Sequence, residues 1–490
     1  MLMANRKIAI FLLSTLICIG VNTTSFAIDL AAFYVNKDHP SASNLNPGTA
    51  ELPWLTIQHG VNQLTPGQRL YVRESITPYF EPYRFFGTDI GGISINVSGT
   101  ETNKIFIEGY PGDKVVINQQ RRMSLYRGED GALDVAADSK PLSGFYIHMG
   151  NYVVIKNFEI TQCFASCIMF NPGRANIGVV IEDNHIHHAY GTDNIGGIRL
   201  DHADYAIVRN NTIHDIYTTN QTSNRYTSEP YGLDSGIHGY EPGNCLIEHN
   251  VIYNVDRGIF AKSSDRDGLD SHTVRRNVFF RNAHSAFSME VQGGGSPPAL
   301  NARFYENIVY DSEGGVSSKL SETSGQSTNV DIYNNTFHNI YRAISLTRQI
   351  GIEVHSNIFS EIDYFNFSTE SAVNGIDYFD NNLYFNEGRE WGLNLSTPNV
   401  EIIRSLSAWQ QAFTNSNLTV LSSNPDVNSV IGDPLFSNKL QNNFRVTENS
   451  LASEGNQKGR NNNGIGAYGL GAMIIGVNNI VRPKAIKDLR

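Results

Sequence analysis

The chain has 490 residues, a formal net charge of −11, 17% charged residues and 40% hydrophobic residues. It is too apolar for a disordered tail, and long enough for two or three average domains or one extended β architecture. The acidic balance excludes a general binder of nucleic acid or anionic membrane, since both need basic surface.

Residues 1–27 read as a secretory signal sequence. Arg6 and Lys7 form a basic start, an apolar run extends from Ile8 to Val21, and Ser25-Phe26-Ala27 supplies small residues for cleavage. The run is short for a membrane span. A secreted or periplasmic protein is expected, with no membrane contact after cleavage. Trp54 to Leu64 reads as a short amphipathic helix, suited to capping one end of a stacked structure. Pro66 to Val72 reads as a turn into the first strand, and Ile105 to Gly112 as an early strand and turn. Cys163, Cys167 and Cys245 show no zinc-type spacing, and small buried thiols are expected.

A repeat follows, the strongest signal in the chain. Segments such as Val180 to Ile186, Ile207 to Ile213, Leu246 to Ile252 and Thr273 to Phe279 share one pattern: apolar, polar, Asn, any residue, apolar. The recurring residues are Asn184, Asn211, Asn250, Asn277, Asn307, Asn335, Asn357 and Asn382. An earlier copy puts Phe158 at that place. Their spacing is 22–30 residues, with one gap of 39. Short β segments at such a period make a solenoid. Asn tolerates the left-handed backbone of a tight corner, and its amide can bond the next coil, so an asparagine ladder is expected. The expected fold is all-β: one solenoid domain from residue 28 to 490, with core coils at about 90–390 and a closing segment at about 395–490. Within that closing part, Glu401 to Phe413 reads as a second helix.

Each coil carries another strand before its Asn corner: Gly144 to His148, Cys167 to Asn171, Gly197 to Asp201, Gly236 to Tyr240, Gly258 to Lys262, Ala286 to Glu290, Gly315 to Lys319 and Ala343 to Thr347. Period two points the third and fifth residues outward. One outward column is Tyr146, Met169, Arg199, His238, Phe260, Ser288, Ser317, Ser345. The other is His148, Asn171, Asp201, Tyr240, Lys262, Glu290, Lys319, Thr347. Neighbours in a column should lie about 4.8 Å apart. Arg199, Asp201, His238, Tyr240, Lys262 and Glu290 would then form one patch. An insertion near Tyr217 to Gly232, holding Arg225 and Tyr231, enters the His238 strand and would wall a cleft. Asp265 to Asp270 lacks the rest of an EF-hand loop and reads as a turn.

The Asn-marked repeat resembles the right-handed parallel β-helix of secreted pectate lyases. Gly432 to Phe436, Phe444 to Val446 and Gly464 to Tyr468 resemble the closing segment of many secreted β-helix proteins. The Gly258 to Lys262 strand resembles the Lys-bearing strand of family-nine pectate lyases and chondroitinase B-like alginate lyases. The resemblance implies Lys262 as a base for β-elimination on an acidic polysaccharide, and a calcium site. Asp201, Asp234 and Glu290 are the available metal ligands. Arg199 is suited to a substrate carboxylate, and His238 and Tyr240 to acid/base help. Asp201, Glu290, His148, Asn171, Lys319, Arg225 and Tyr231 would bind the sugar chain, and a monomer is expected.

Three alternatives stand beside the lyase. A glycoside hydrolase needs two carboxylates about 5–9.5 Å apart, whereas Asp201 and Glu290 should be three strand steps apart. A C5-epimerase shares the proton abstraction, and Tyr231 to His238 loosely resembles the Asp/His-bearing strand of alginate epimerases. A non-catalytic sugar-binding module would need only aromatic platforms.

Overall fold

The computed structural model describes residues 32–81, 91–119, 142–191, 194–218, 232–263, 271–291, 301–320, 327–346, 349–369, 375–386, 393–395, 401–403, 405–415, 419–420, 426–453 and 464–467. The expected signal sequence, Arg225, Tyr231 and Asp265 to Asp270 lie outside them.

Three or four apolar residues per strand, broken by polar corners, wind the chain into a parallel β-helix with three walls. The first wall is a single ladder of 13 strands, from Ala32–Val35 to Thr419–Val420. The second wall includes Phe158–Phe164, His185–Gly191, Thr212–Thr218, Val251–Tyr253 and Val278–Phe280. The third includes Leu142–Ile147, Ser166–Phe170, Gly196–Arg199, Ser235–Tyr240, Arg257–Ser263 and Ser285–Val291. Ile308–Leu320, Thr336–Leu346 and Ile358–Thr369 run unbroken through both walls. Inside, like residues stack coil on coil. Phe337 lies 5.4 Å from Phe359, which lies 5.4 Å from Tyr384, with rings nearly parallel. Each such buried ring contributes roughly 1.5–3 kcal/mol of burial.

The asparagine ladder is present over all eight residues. From Asn184 to Asn357, each donates its backbone N–H and its side-chain Nδ2 to Oδ1 of the next, at 2.9–3.2 Å. Where Phe158 replaces Asn, its N–H still reaches Asn184 Oδ1 at 3.1 Å, so the first rung keeps half its bonds. One expectation changes. The left-handed residue is not the ladder Asn but its predecessor: Asp183, Asn210, His249, Arg276, Glu306, Asn334, Ser356 and Asn381 all have φ between 52° and 59°. That residue turns the corner, which frees the buried Asn for bonding alone.

The cysteine expectation is half right. All three are buried, but Cys163 and Cys167 form a disulfide, and Cys245 is free. Ala165, at φ 73°, turns the chain between two walls and brings both sulfur-bearing residues inward with Cα atoms 5.1 Å apart.

The expected cap helix is α1, Ile57–Gln63, capped by Thr56, whose side chain accepts from His59 N–H. Glu81 accepts from the N–H groups of Ile57 and Gln58 at 2.6 and 2.7 Å, satisfying two more of its open donors. Ile57 and Val61 bury against the first coil. Near the other end, α2 (Leu406–Asn415) inserts Trp409 against Phe367 and Phe379. Of the closing segment, Phe444 and Gly464 to Ala467 lie along the side of the coils. Phe444 packs on Tyr310 and His338, and Gly466 N–H reaches Ser356 O at 2.8 Å. Among the described residues no helix is long and apolar enough to cross a membrane.

Candidate functional site

The third wall carries the site, and its register follows the period-two reading. Met169 pairs with both Tyr146 and Arg199, Arg199 with His238, His238 with Phe260, Phe260 with Ser288, Ser288 with Ser317, and Ser317 with Ser345. In the second column Tyr240 pairs with Lys262, Lys262 with Glu290, and Glu290 with Lys319. His148 and Asn171 sit at the start of that column, with His148 Nδ1 2.9 Å from Asn171 Nδ2. The structure therefore brings Arg199, His238, Tyr240, Lys262 and Glu290 onto one face.

The outward face is drier than expected. His238 is 1% exposed and Asp201 is fully buried. Arg199 gives its Nε to Asp201 Oδ2 at 2.6 Å and its Nη1 to the Asn194 carbonyl at 3.2 Å. Asp201 Oδ1 accepts the Tyr240 N–H at 3.2 Å. Burial pushes the Asp201 carboxyl upward, against the pull of Arg199 and that N–H. Asp201 thus anchors Arg199 and the next strand, a correction to its expected role as a sugar-facing group. Arg199 keeps only part of its fork for an anion.

His238 is unusual. Both ring nitrogens are buried without a hydrogen-bond partner among the described residues. Its ring meets Phe260 edge-on at 5.0 Å and tilts against Tyr240 at 5.0 Å. Burial, and then the charges of Arg199, Arg257 and Lys262, pull its pKa down to about 3. The expected acid/base helper is therefore a neutral imidazole near neutral pH, unable to act as a proton donor of ordinary strength. Lys262 is half-buried, with its ammonium 5.1 Å from the centre of the Tyr240 ring. Of Lys319 only the backbone pairing is described, and Arg225 and Tyr231 lie outside the described residues.

Residues 33–297, more than half of the chain, match a family described as Pel9A-like, right handed beta helix region. The chain belongs to this Pel9A-like family. No curated protein matches it. Among solved structures it is similar to pectate lyase Pel9A, at 15% identity and a TM-score of 0.54, over 89% of this chain and 96% of that one. A PL6 family polysaccharide lyase, Pedsa3628 from Pseudopedobacter saltans, has 9% identity and a TM-score of 0.44, over 84% and 97% of the two chains. PfbA, a surface adhesin of Streptococcus pneumoniae, has 12% identity and a TM-score of 0.43, over 70% and 83%. At these identities the likeness is one of fold, a right-handed parallel β-helix.

The expected calcium ligands do not fit in the Pel9A-like chain. Asp201 follows the C-terminal end of Gly196–Arg199, whereas Asp234 precedes the N-terminal end of the parallel strand Ser235–Tyr240. Parallel strands keep those ends roughly 20 Å apart. Asp201 and Glu290 are three rungs apart, about 14 Å. Asp234 is also occupied: Oδ1 accepts Ser235 N–H at 2.7 Å and Oδ2 accepts Ile195 N–H at 3.3 Å. The same three-rung gap removes Asp201 and Glu290 as a hydrolytic pair.

Two functional candidates escaped the sequence reading. Arg257 stands at the start of the Lys262 strand, its Nη1 2.8 Å from Asp256 and its guanidinium 4.8 Å from the Phe260 ring. Its buried Nε has no partner among the described residues. The only signal was its place just before Gly258, opposite Ser285 in the ladder. Asp256 lies beside Asp234, whose carbonyl accepts the Asp256 N–H at 2.8 Å. Burial, with Asp256 adding, raises Asp234 to about 6, and burial raises Asp256 against Arg257.

Proposed function

We propose that the protein is an exported polysaccharide lyase that cleaves a uronic-acid-containing chain by β-elimination. One observation carries this reading: the ladder register places Lys262 between Tyr240 and Glu290, one rung from His238 and two from Arg199, on a wall of a Pel9A-like β-helix. Arg257 adds a second cation beside His238. In a site rimmed by Arg199, Arg257 and Lys262, the sugar carboxylate meets positive charge, which acidifies the proton beside it. Lys262 takes that proton, and Tyr240, whose ring it overlies, returns one to the leaving oxygen from its hydroxyl. Neutral His238 offers hydrogen bonds to the sugar. Export rests on the basic, apolar and small-residue run from Arg6 to Ala27.

One observation favours hydrolysis as a second reading. Asp234 and Asp256 occupy neighbouring rungs, about one strand spacing apart, and both hold protons above the usual carboxylate range. The test is incubation with a panel of acidic polysaccharides, following ultraviolet absorbance of the unsaturated product. A rise in absorbance supports elimination. New reducing ends without absorbance sink it and point to Asp234 and Asp256. A change in uronate NMR signals with neither points to epimerisation.

A further inference from the structure

We propose that the outer face of the second wall holds a site for a zinc-like divalent cation, ligated by Glu159, His185 and His187. The site is on a different wall from the candidate cleft. Glu159 and His185 are register partners on adjacent strands, and His187 is two residues on, so all three project from one face. Glu159 Oε1 lies 3.5 Å from His187 Nε2, and Oε2 lies 4.0 Å from His185 Nδ1. One ligand atom from each falls within 4.8 Å of the others. Tetrahedral zinc with bonds of about 2.0–2.2 Å needs donors about 3.3 Å apart, so small side-chain movements close the site.

The surrounding hydrogen bonds aim the lone pairs. Asp215 accepts from His214 Nδ1 at 2.7 Å, which fixes the hydrogen of a neutral His214 on that atom. His214 Nε2 then offers a lone pair to His185 Nε2, 2.8 Å away, so His185 carries its hydrogen there. His185 Nδ1 is left bare, facing a carboxylate oxygen. His187 is placed the same way: its Nδ1 meets His188 Nδ1 at 2.6 Å and Thr161 Oγ1 at 3.2 Å, so its Nε2 is bare whenever Nδ1 donates. Such outer partners orient metal-bound imidazoles.

Packing holds the rings in place. His187 stacks on His214 at 5.1 Å, His214 on Tyr253 at 4.6 Å, and Tyr253 on Phe280 at 4.5 Å. Two imidazoles and one carboxylate favour zinc, nickel or copper over calcium, which takes six or more oxygens. The fourth position faces outward, since His185 is 45% exposed. Lys114 now holds Glu159 Oε2 at 2.9 Å, but its side chain is 70% exposed and free to swing away. It competes with the metal.

The test is calorimetric titration of the tag-free full chain with zinc chloride, and separately with calcium chloride. Wild type is expected to bind one zinc. His185→Gln and His187→Gln are each expected to weaken binding at least tenfold, with His39→Gln unchanged. Lys114→Ala is expected to tighten it severalfold, an effect of opposite sign that a merely destabilised protein would not give. Metal-free melting curves check that each variant is folded. Absence of zinc binding, equal zinc binding by a His185→Gln/His187→Gln double variant, or calcium binding as tight as zinc overturns the proposal.

Discussion

The Asn corner and the outward strip of the third wall both recur coil by coil and both bury polar groups, yet they treat those groups in opposite ways. In the corner, Asn277 Oδ1 takes two hydrogens from Asn250, and its Nδ2 donates to Ile247 O, Arg275 O and Asn307 Oδ1. Nothing there is left for a ligand. On the third wall, His238 has two buried nitrogens and Arg257 one buried Nε with no partner among the described residues. Leaving a buried polar group unpaired costs about 1–3 kcal/mol. A scaffold satisfies its buried groups within itself. A binding strip keeps some of them for its substrate.

The largest expected effect tests the strip. Lys262→Ala should lower turnover by about 10²–10⁴-fold if Lys262 is the base, with the melting temperature nearly unchanged. Steady-state kinetics on the active polysaccharide measures this, and full activity removes the assignment. The next tests the corner. Asn277→Ala strands the Asn250 N–H and the Ile247 carbonyl, and should cost about 3 kcal/mol or more in urea unfolding. The exposed Asn62→Ala, which loses one bond to Gln58 on a helix, should cost less than about 1 kcal/mol. Equal losses would break the contrast.

The third uses pH. His238 falls to about 3 in the folded chain, below its unfolded value of about 6.5. The unfolded state then binds more protons between those values. Stability from this group is present above pH about 6.5 and lost as pH falls toward 3, on the order of 3 kcal/mol at pH 4. His238→Phe should remove that part of the acid sensitivity while weakening substrate binding. An unchanged difference between pH 7 and pH 4 unfolding curves would show that His238 is solvated. The smallest effect concerns the disulfide. Its loop is short, so Cys163→Ala/Cys167→Ala should cost about 2 kcal/mol and leave the register of the strip intact.

Much of the fold was legible because the β-helix repeats locally. The Asn spacing located the ladder, and period two gave the order of the first outward column from Tyr146 to Ser345 and of the second from Tyr240 to Lys319. Less of the site was legible. Alternation says which way Asp201 and His238 point, but not that the wall around them is dry. Arg257 carries no signal of its own, because its role comes from Asp256 and Phe260 beside it. Likewise His185 and His187 show alternation, whereas their meeting with Glu159 and His214 depends on strand register.

By itself, then, the sequence determined the coil, its period and the faces of each strand, since these follow from residue type and neighbours along the chain. Only the tertiary structure decided which carboxylates are spent on arginines, which histidines are kept neutral and which cysteines join. Those outcomes depend on burial and on distances between coils, to which a linear pattern is blind. Asp201 and Asp234 make the point: similar residues a coil apart in sequence, they stand at opposite ends of parallel strands.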